Sequence, residues 1–263
     1  MQTVVSKDGT KIAYDKSGKG RAVILIGGAL MTRESWADLP KLLAGNFTVY
    51  AYDRRGRGDS GDTLPYALDR ELEDIDALVT VAGESASLYG ISSGGALALE
   101  AAIKLDGKTE KLAVYEVPYD SSIGGLNAWR EFRAKLKEAL DRQDRSEAIV
   151  QFLKFVGQPD ESIENMKKMP MWQALEALAP TLAYDVEAIG KDRMISAEQL
   201  EKMTAPALIL DGGASLEHAP FMRTTANALA KGIMRAKHTV IEGQGHDVDA
   251  KAIAPVLTEF FLN

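Results

Sequence analysis

The stretch "LYGISSGGALALEAA" places Ser92 between two glycines, Gly90 and Gly94, where an apolar strand-like run (85–90) passes directly into a helical one (94–105). Glycine at −2 and +2 lets so tight a turn form without side-chain clash. The turn lifts a serine hydroxyl above the strand end at a helix N-terminus, where developing negative charge is favoured. A plainer reading is a glycine-rich turn in which Ser92 and Ser93 cap the helix. A serine hydroxyl is a weak nucleophile until a base takes its proton, so the chemistry requires a histidine. The chain has three, His218, His238 and His246. His246, in "EGQGHDV", occupies a glycine-bracketed loop after the last strand-like run and is the expected base. His218 follows the preceding strand by a longer loop, and His238 is expected to begin a strand at the far end of the sheet.

Acyl transfer also needs N–H donors for the oxyanion. "ILIGGAL" ends a strand on Gly27, Gly28 and Ala29, whose small side chains let backbone amides approach a substrate. The Ala29 and Ser93 amides are the expected donors; the alternative is an ordinary glycine-rich turn.

Such residues must be brought together by a scaffold, and the remaining sequence describes one. Alternating positions around "KDGT" and "KSGKG" suit a β-hairpin. Strand-like runs at 21–28, 47–53, 85–90 and 111–118 then alternate with helical patterns in "ESWADLPKLLAG", at 66–83 and at 94–105. Strand and helix in alternation predict a mostly parallel sheet covered on both faces, whose post-strand loops gather at one end. Between 119 and 195 only helical patterns occur. The alternation resumes with strands at 206–212 and 237–243 and helices at 220–232 and 254–263. We expect one α/β domain, its core formed by 1–118 and 196–263, with a helical cap, 119–195, over the strand ends.

Composition excludes several other classes. With 46% hydrophobic and 26% charged residues among 263, the chain is too apolar for disorder. Zero cysteines exclude disulfides, thiolate nucleophiles and cysteine-held metal. A net charge of −7 without a basic tract argues against nucleic acid and anionic membranes as partners. The longest apolar run, "AVILIGGALM", is too short to span a bilayer, and the first residues lack the pattern of a secretion signal, so a cytoplasmic location is expected.

Taken in order, Gly27-Gly28 after the first parallel strand, "YDRRGRGDS" (52–60), "GISSGG" and the terminal "GQGHDV" resemble the α/β-hydrolase fold superfamily. The likeness covers nearly the whole chain except 119–195, which corresponds to that family's variable cap. It implies a small-molecule acyl substrate and neither metal nor organic cofactor. One departure is Gly27, which stands where the family usually has a histidine; a hole built from backbone amides does not need that side chain.

The resemblance also poses the problem of the triad acid. The commonest family pattern, laid on the chain from Pro206, puts the carboxylate at Ser215, which cannot supply the charge. Asp211 lies a little early and Glu217 a little late. Certain haloalkane dehalogenases and the zearalenone lactonases are similar in carrying a glutamate at the end of the strand after the nucleophile's helix, which here is Glu116 in "KLAVYEVP". An acid ending an apolar strand is costly to bury without a partner, and a histidine would be one. Glu116 is the expected acid, with Asp211, Glu217 or no acid as alternatives.

The expectation is a serine hydrolase acting on a carboxylic ester or lactone through Ser92, His246 and Glu116. Carbon–carbon bond hydrolysis, cofactor-free perhydrolysis and hydroxynitrile cleavage on the same triad stay open, as does a non-catalytic small-molecule-binding member. Arg54, Arg55, Arg57 and Asp59 are expected to brace their loop. Trp129, Met166, Met169, Met171 and Trp172 are expected mainly to pack the cap, with one or two touching ligand.

Overall fold

Apolar runs such as "RAVILI", "ASLYGI" and "ALILDG", six residues each, become the central strands of a single sheet. The computed structural model describes all 263 residues. Its strands are β1 (Gln2–Val5), β2 (Lys11–Gly18), β3 (Arg21–Ile26), β4 (Phe47–Tyr52), β5 (Ala86–Ile91), β6 (Thr109–Tyr115), β7 (Ala207–Gly212) and β8 (Ala236–Ile241). They lie in the order β1-β2-β4-β3-β5-β6-β7-β8. β1, β2 and β4 pair antiparallel, and every pairing from β4 to β8 is parallel. "RAVILI", "ASLYGI" and "ALILDG" are buried along almost their whole length, as central parallel strands covered on both faces must be.

The helices are α1 (Leu39–Leu43), α2 (Leu68–Ala82), α3 (Ser93–Lys104), α4 (Ile123–Asp141), α5 (Arg145–Phe155), α6 (Asp160–Met166), α7 (Met171–Leu178), α8 (Leu182–Ile189), α9 (Ala197–Glu201), α10 (Phe221–Gly232) and α11 (Ala250–Leu262). One apolar cluster unites a sheet face with α2, α3, α10 and residues of α4 to α8. The opposite face packs Leu39 and Leu43 of α1 and Ile253, Leu257 and Phe261 of α11 against Phe47 and Tyr89. No helix is long and apolar enough to cross a membrane.

Helices α4 to α8 lie between β6 and β7. Trp129, Phe132, Leu136 and Ala139 recur at three- and four-residue spacing and form the buried stripe of α4. Trp129 packs on Phe132 and Phe155, and Trp172 is also buried, whereas Met169 and Met171 are exposed.

Three local expectations need correction. "ESWADLPKLLAG" is not one helix: a single 3₁₀ turn, Arg33–Trp36, is followed by Ala37 at φ 49° and then by α1, with Pro40 in its first turn, where its missing N–H costs nothing. The last helix starts four residues early, because the Asp249 side chain accepts from Lys251 N–H and caps it. His238 is not at the far end of the sheet; it lies within β8, one register diagonal from Asp211.

Candidate active site

Ser92 lies between β5 and α3 with φ 56° and ψ −129°, a positive-φ conformation that a non-glycine residue adopts only under constraint. Its neighbours show why the flanking glycines are needed. A Cβ on Gly90 would sit 2.4 Å from Gly94 O, and one on Gly94 would sit 2.3 Å from Ile26 O. The Gly27-Gly28 turn runs directly past the elbow, since a Cβ on Gly28 would lie 3.0 Å from Ser92 Cβ.

The amide of Ser92 donates to Tyr115 O at 2.9 Å, which fixes the elbow to the end of β6. The next residue is Glu116, itself held at φ 48° with its N–H on Leu210 O. Its carboxylate is 2% exposed. Oε2 lies 2.7 Å from His246 Nδ1, and Oε1 accepts the Gly212 N–H at 2.9 Å. Burial pushes this carboxyl up, but the bonds from His246 and the Gly212 N–H, with the Ser215 hydroxyl nearby, outweigh it and hold Glu116 below the usual carboxylate range. An ionised carboxylate can only accept, so Nδ1 carries the hydrogen and Nε2 is left as the basic nitrogen.

The loop bearing His246 is fastened beside this acid. Tyr115 Oη donates to Gly245 O at 2.5 Å, and the Ala214 N–H donates to Gln244 O at 2.9 Å. The His246 side chain is 46% exposed, so its free edge is accessible. The structure thus joins two of the three sequence candidates by a hydrogen bond and ties the third to them through backbone; Ser92 Oγ itself is bonded to neither. Hydrogen bonds of this kind commonly tighten only when substrate is present.

The alternative acids lie elsewhere. Asp211 is fully engaged by Arg223 Nε and His238 Nε2, both at 2.5 Å. Glu217 and His218 are exposed at the end of a 3₁₀ turn, Ala214–Glu217. Ser215, buried where the usual pattern would put the carboxylate, faces Glu116 instead.

Around the elbow the Gly28 N–H is taken by Met31 Sδ at 3.2 Å, and Leu30 is forced to φ 58°. The Ala29 N–H meets no carbonyl, and the Ser93 N–H, at the first position of α3, has no intrahelical partner. Two amide donors therefore stand unspent beside Ser92.

The arginines of the "RRGRGDS" loop face the protein's own acids. Arg54 pairs with Glu71 at 2.6 Å and Asp185 at 2.6 Å, Arg55 with Asp74 and Asp8, and Arg57 with Asp185 at 2.7 Å. Asp59 pairs with Arg33. Asp185 is the residue that sequence reading missed. It shares the buried face of α8 with Leu182, Val186 and Ile189, and a lone carboxylate in such a stripe was the signal that could have found it.

No group of three or more His, Asp or Glu is arranged to hold a metal ion. A groove of about 590 Å³ bordered by Tyr119, Arg193, Phe221 and Leu229 contains neither Ser92 nor His246.

An eight-stranded, mostly parallel sheet with a strained serine at a strand–helix elbow and an acid-bound histidine after the last strand is the architecture of an α/β hydrolase. The sequence profile of the alpha/beta hydrolase family matches residues 23–256, and the chain belongs to that family. It is similar to an alpha/beta hydrolase from Sphaerobacter thermophilus, at 42% identity over 99% of this chain and 100% of that one, with a TM-score of 0.87. It also resembles the N-formylmaleamate deformylase of Pseudomonas putida, at 33% identity over 43% of this chain and 44% of that protein. The human serine hydrolase BPHL is 31% identical over 52% of this chain and 53% of its own length. The chain therefore spans about half the length of these two curated relatives.

Proposed function

We propose that the protein is a serine hydrolase that cleaves a carboxylic ester or lactone through Ser92, His246 and Glu116. The observation that carries this reading is the 2.7 Å bond between Glu116 and His246 Nδ1, made beside a serine in the strained elbow conformation. Ser92 Oγ attacks the substrate carbonyl while His246 Nε2 takes its proton. The tetrahedral oxyanion is held by the Ala29 and Ser93 amides. The imidazolium then gives its proton to the leaving alkoxide, and the C–O bond breaks. A water, deprotonated by His246, releases the acid product and restores Ser92. Glu116 keeps the imidazole in the Nδ1–H tautomer and stabilises its charged form. These steps consume water and substrate only.

The test is covalent labelling by a fluorophosphonate followed by peptide mapping. Modification of Ser92 in the wild type, and none in Ser92→Ala, is the expected result; a folded wild-type protein left unmodified would sink the reading. A parallel screen across esters, lactones and C–C diketones identifies the scissile bond. N-acyl substrates belong in the same screen, since one relative is named a deformylase.

A further inference from the structure

Arg54 and Arg57 are among the largest fully buried side chains in the molecule, yet neither faces open space. Arg57 Nη1 donates at 2.5 Å to Gly28 O, the carbonyl of the peptide whose N–H belongs to Ala29. A trans peptide is planar, so gripping its oxygen fixes the direction of its N–H. A charge-assisted bond to that oxygen also polarises the unit and makes the N–H a better donor. Arg54 Nη1 reaches the preceding carbonyl, Gly27 O, at 3.3 Å.

The second amide is anchored from the same place. Ser93 Oγ donates to Asp185 Oδ1 at 2.8 Å, and Asp185 Oδ2 takes Arg57 Nη2 at 2.7 Å. One carboxylate thus holds both sides of the site, and it is carried by cap helix α8, whereas Ser93 and Arg57 belong to the core. Burial works against its charge, and Arg57 and Arg54 outweigh burial to keep it ionised. Arg54 also pairs with Glu71, but Asp185 is the only acid paired with Arg57, so without it Arg57 would be left buried beside Arg54 with no anionic partner.

We infer that Asp185 is a positioning residue for the oxyanion hole: through Arg57 it orients the Ala29 amide and through Ser93 Oγ it orients the Ser93 amide, so seating the cap and assembling the hole are one event. This rests on the assignment of those two amides as the oxyanion donors. The cap then has a role besides shaping the substrate pocket, since a core without a docked α8 would keep its nucleophile and lose its electrostatic catalyst.

The experiment measures p-nitrophenyl acetate turnover and phenylboronic acid inhibition on the full chain. Phenylboronic acid forms a tetrahedral adduct with the serine, and its affinity reports on the hole rather than on ground-state binding. For Asp185→Asn we expect kcat to fall on the order of 100-fold with KM within about twofold, at the low end of the about 10²–10³ loss for deleting a donor outright because both amides remain. The boronate inhibition constant should rise in proportion. Ser93→Ala keeps its backbone amide and removes one neutral hydroxyl, so it tests the link even if Asp185→Asn fails to fold; a loss of about tenfold in kcat and in boronate affinity is expected. In the double variant the two losses should not multiply. Wild-type kcat and boronate affinity in Ser93→Ala, or a rise in KM at constant kcat in either variant, would overturn the inference while fluorophosphonate labelling of Ser92 left the hydrolase reading standing. Absence of labelling in the wild type would remove both.

Discussion

Two carboxylate–histidine pairs lie one strand apart in this molecule. Glu116 meets His246, and Asp211 meets His238; the two carboxylates are 2% and 1% exposed. Chemistry alone would not separate them, and both acids were weighed from the sequence. The difference lies in the other partners. Asp211 is already neutralised by Arg223, and its histidine spends Nε2 on the pair from within the hydrogen-bonded ladder of β8. Glu116 pairs with no arginine or lysine, and its histidine spends Nδ1 from a loop that turns the opposite ring edge outward. A carboxylate balanced by an arginine has little to gain from a histidine's charge. One whose only cationic partner is the histidine stabilises the imidazolium as it forms. The first arrangement closes a sheet edge, and the second can drive proton transfer.

The largest effect that would break this contrast is kinetic. Glu116→Gln should lower kcat on an activated ester by about 10³ to 10⁴, the loss expected when a triad acid can no longer orient and charge-balance its base. Asp211→Asn should leave kcat within about threefold, because its change stays outside the reacting set. Steady-state turnover of p-nitrophenyl acetate by both variants decides it. The contrast fails if Asp211→Asn is the more crippled enzyme.

The stability ranking should run the other way. Asp211→Asn leaves Arg223 and His238, both partly buried, without a charged acceptor, at a cost of about 2 kcal/mol by urea unfolding. A variant as stable as wild type would mean that the Asp211 cluster does not hold β7 to β8, and the structural half of the comparison would be lost.

Why the sequence discloses one pair more readily than the other is a matter of range. The parallel sheet follows from local patterns, since "RAVILI" and "ALILDG" are apolar runs that cannot be left in water, and the elbow follows from glycines within two residues of Ser92. Glu116 could be named because similar family branches carry a glutamate just after this strand, and because an acid closing the apolar run "KLAVYEVP" is costly to bury without a partner; its φ of 48°, just past the end of β6, could not be foreseen. For Asp185 the carboxylate in the apolar stripe of "LAYDVEAI" signals burial but not its role, since its partners Arg57 and Ser93 lie 128 and 92 residues away and nothing in that stretch says which surface α8 will cover. The broken helix at Ala37 was hidden for a similar reason: a helical spacing of apolar residues does not reveal that a residue between them must take φ 49°. Contacts that close across the cap-to-core boundary depend on the packing of whole helices, which periodicity does not encode.

A smaller effect sharpens the comparison by moving the acid. Ser215 is buried next to Glu116, and its Oγ lies 4.0 Å from where a Cβ on Gly245 would be, one residue from His246. A carboxylate there should reach the imidazole once Glu116 is neutral. The double variant Glu116→Gln/Ser215→Asp should recover about tenfold in kcat over Glu116→Gln alone, short of wild type because the Gly212 amide and the strand end are built around Glu116. Ser215→Asp by itself should impair the enzyme, since two neighbouring carboxylates cannot both ionise cheaply. No recovery in the double variant would show that the pair needs the strand-end position and not merely a nearby charge.

The smallest effect concerns acid stability. Glu116 titrates below its ordinary value of 4.5 in the folded state, so the folded protein holds its carboxylate more tightly ionised than the unfolded chain does. A depressed folded value means that this contribution is fully present above pH 4.5 and disappears as pH falls through the folded value. Glu116→Gln has no such proton to take up. The stability gap between wild type and Glu116→Gln should therefore be constant near neutrality and narrow below pH 4.5, as followed by urea unfolding at a series of pH values. A gap that instead widened on acidification would require a raised Glu116, a carboxyl protonated at its work, and so a histidine without the negative partner that sets this pair apart from Asp211 and His238.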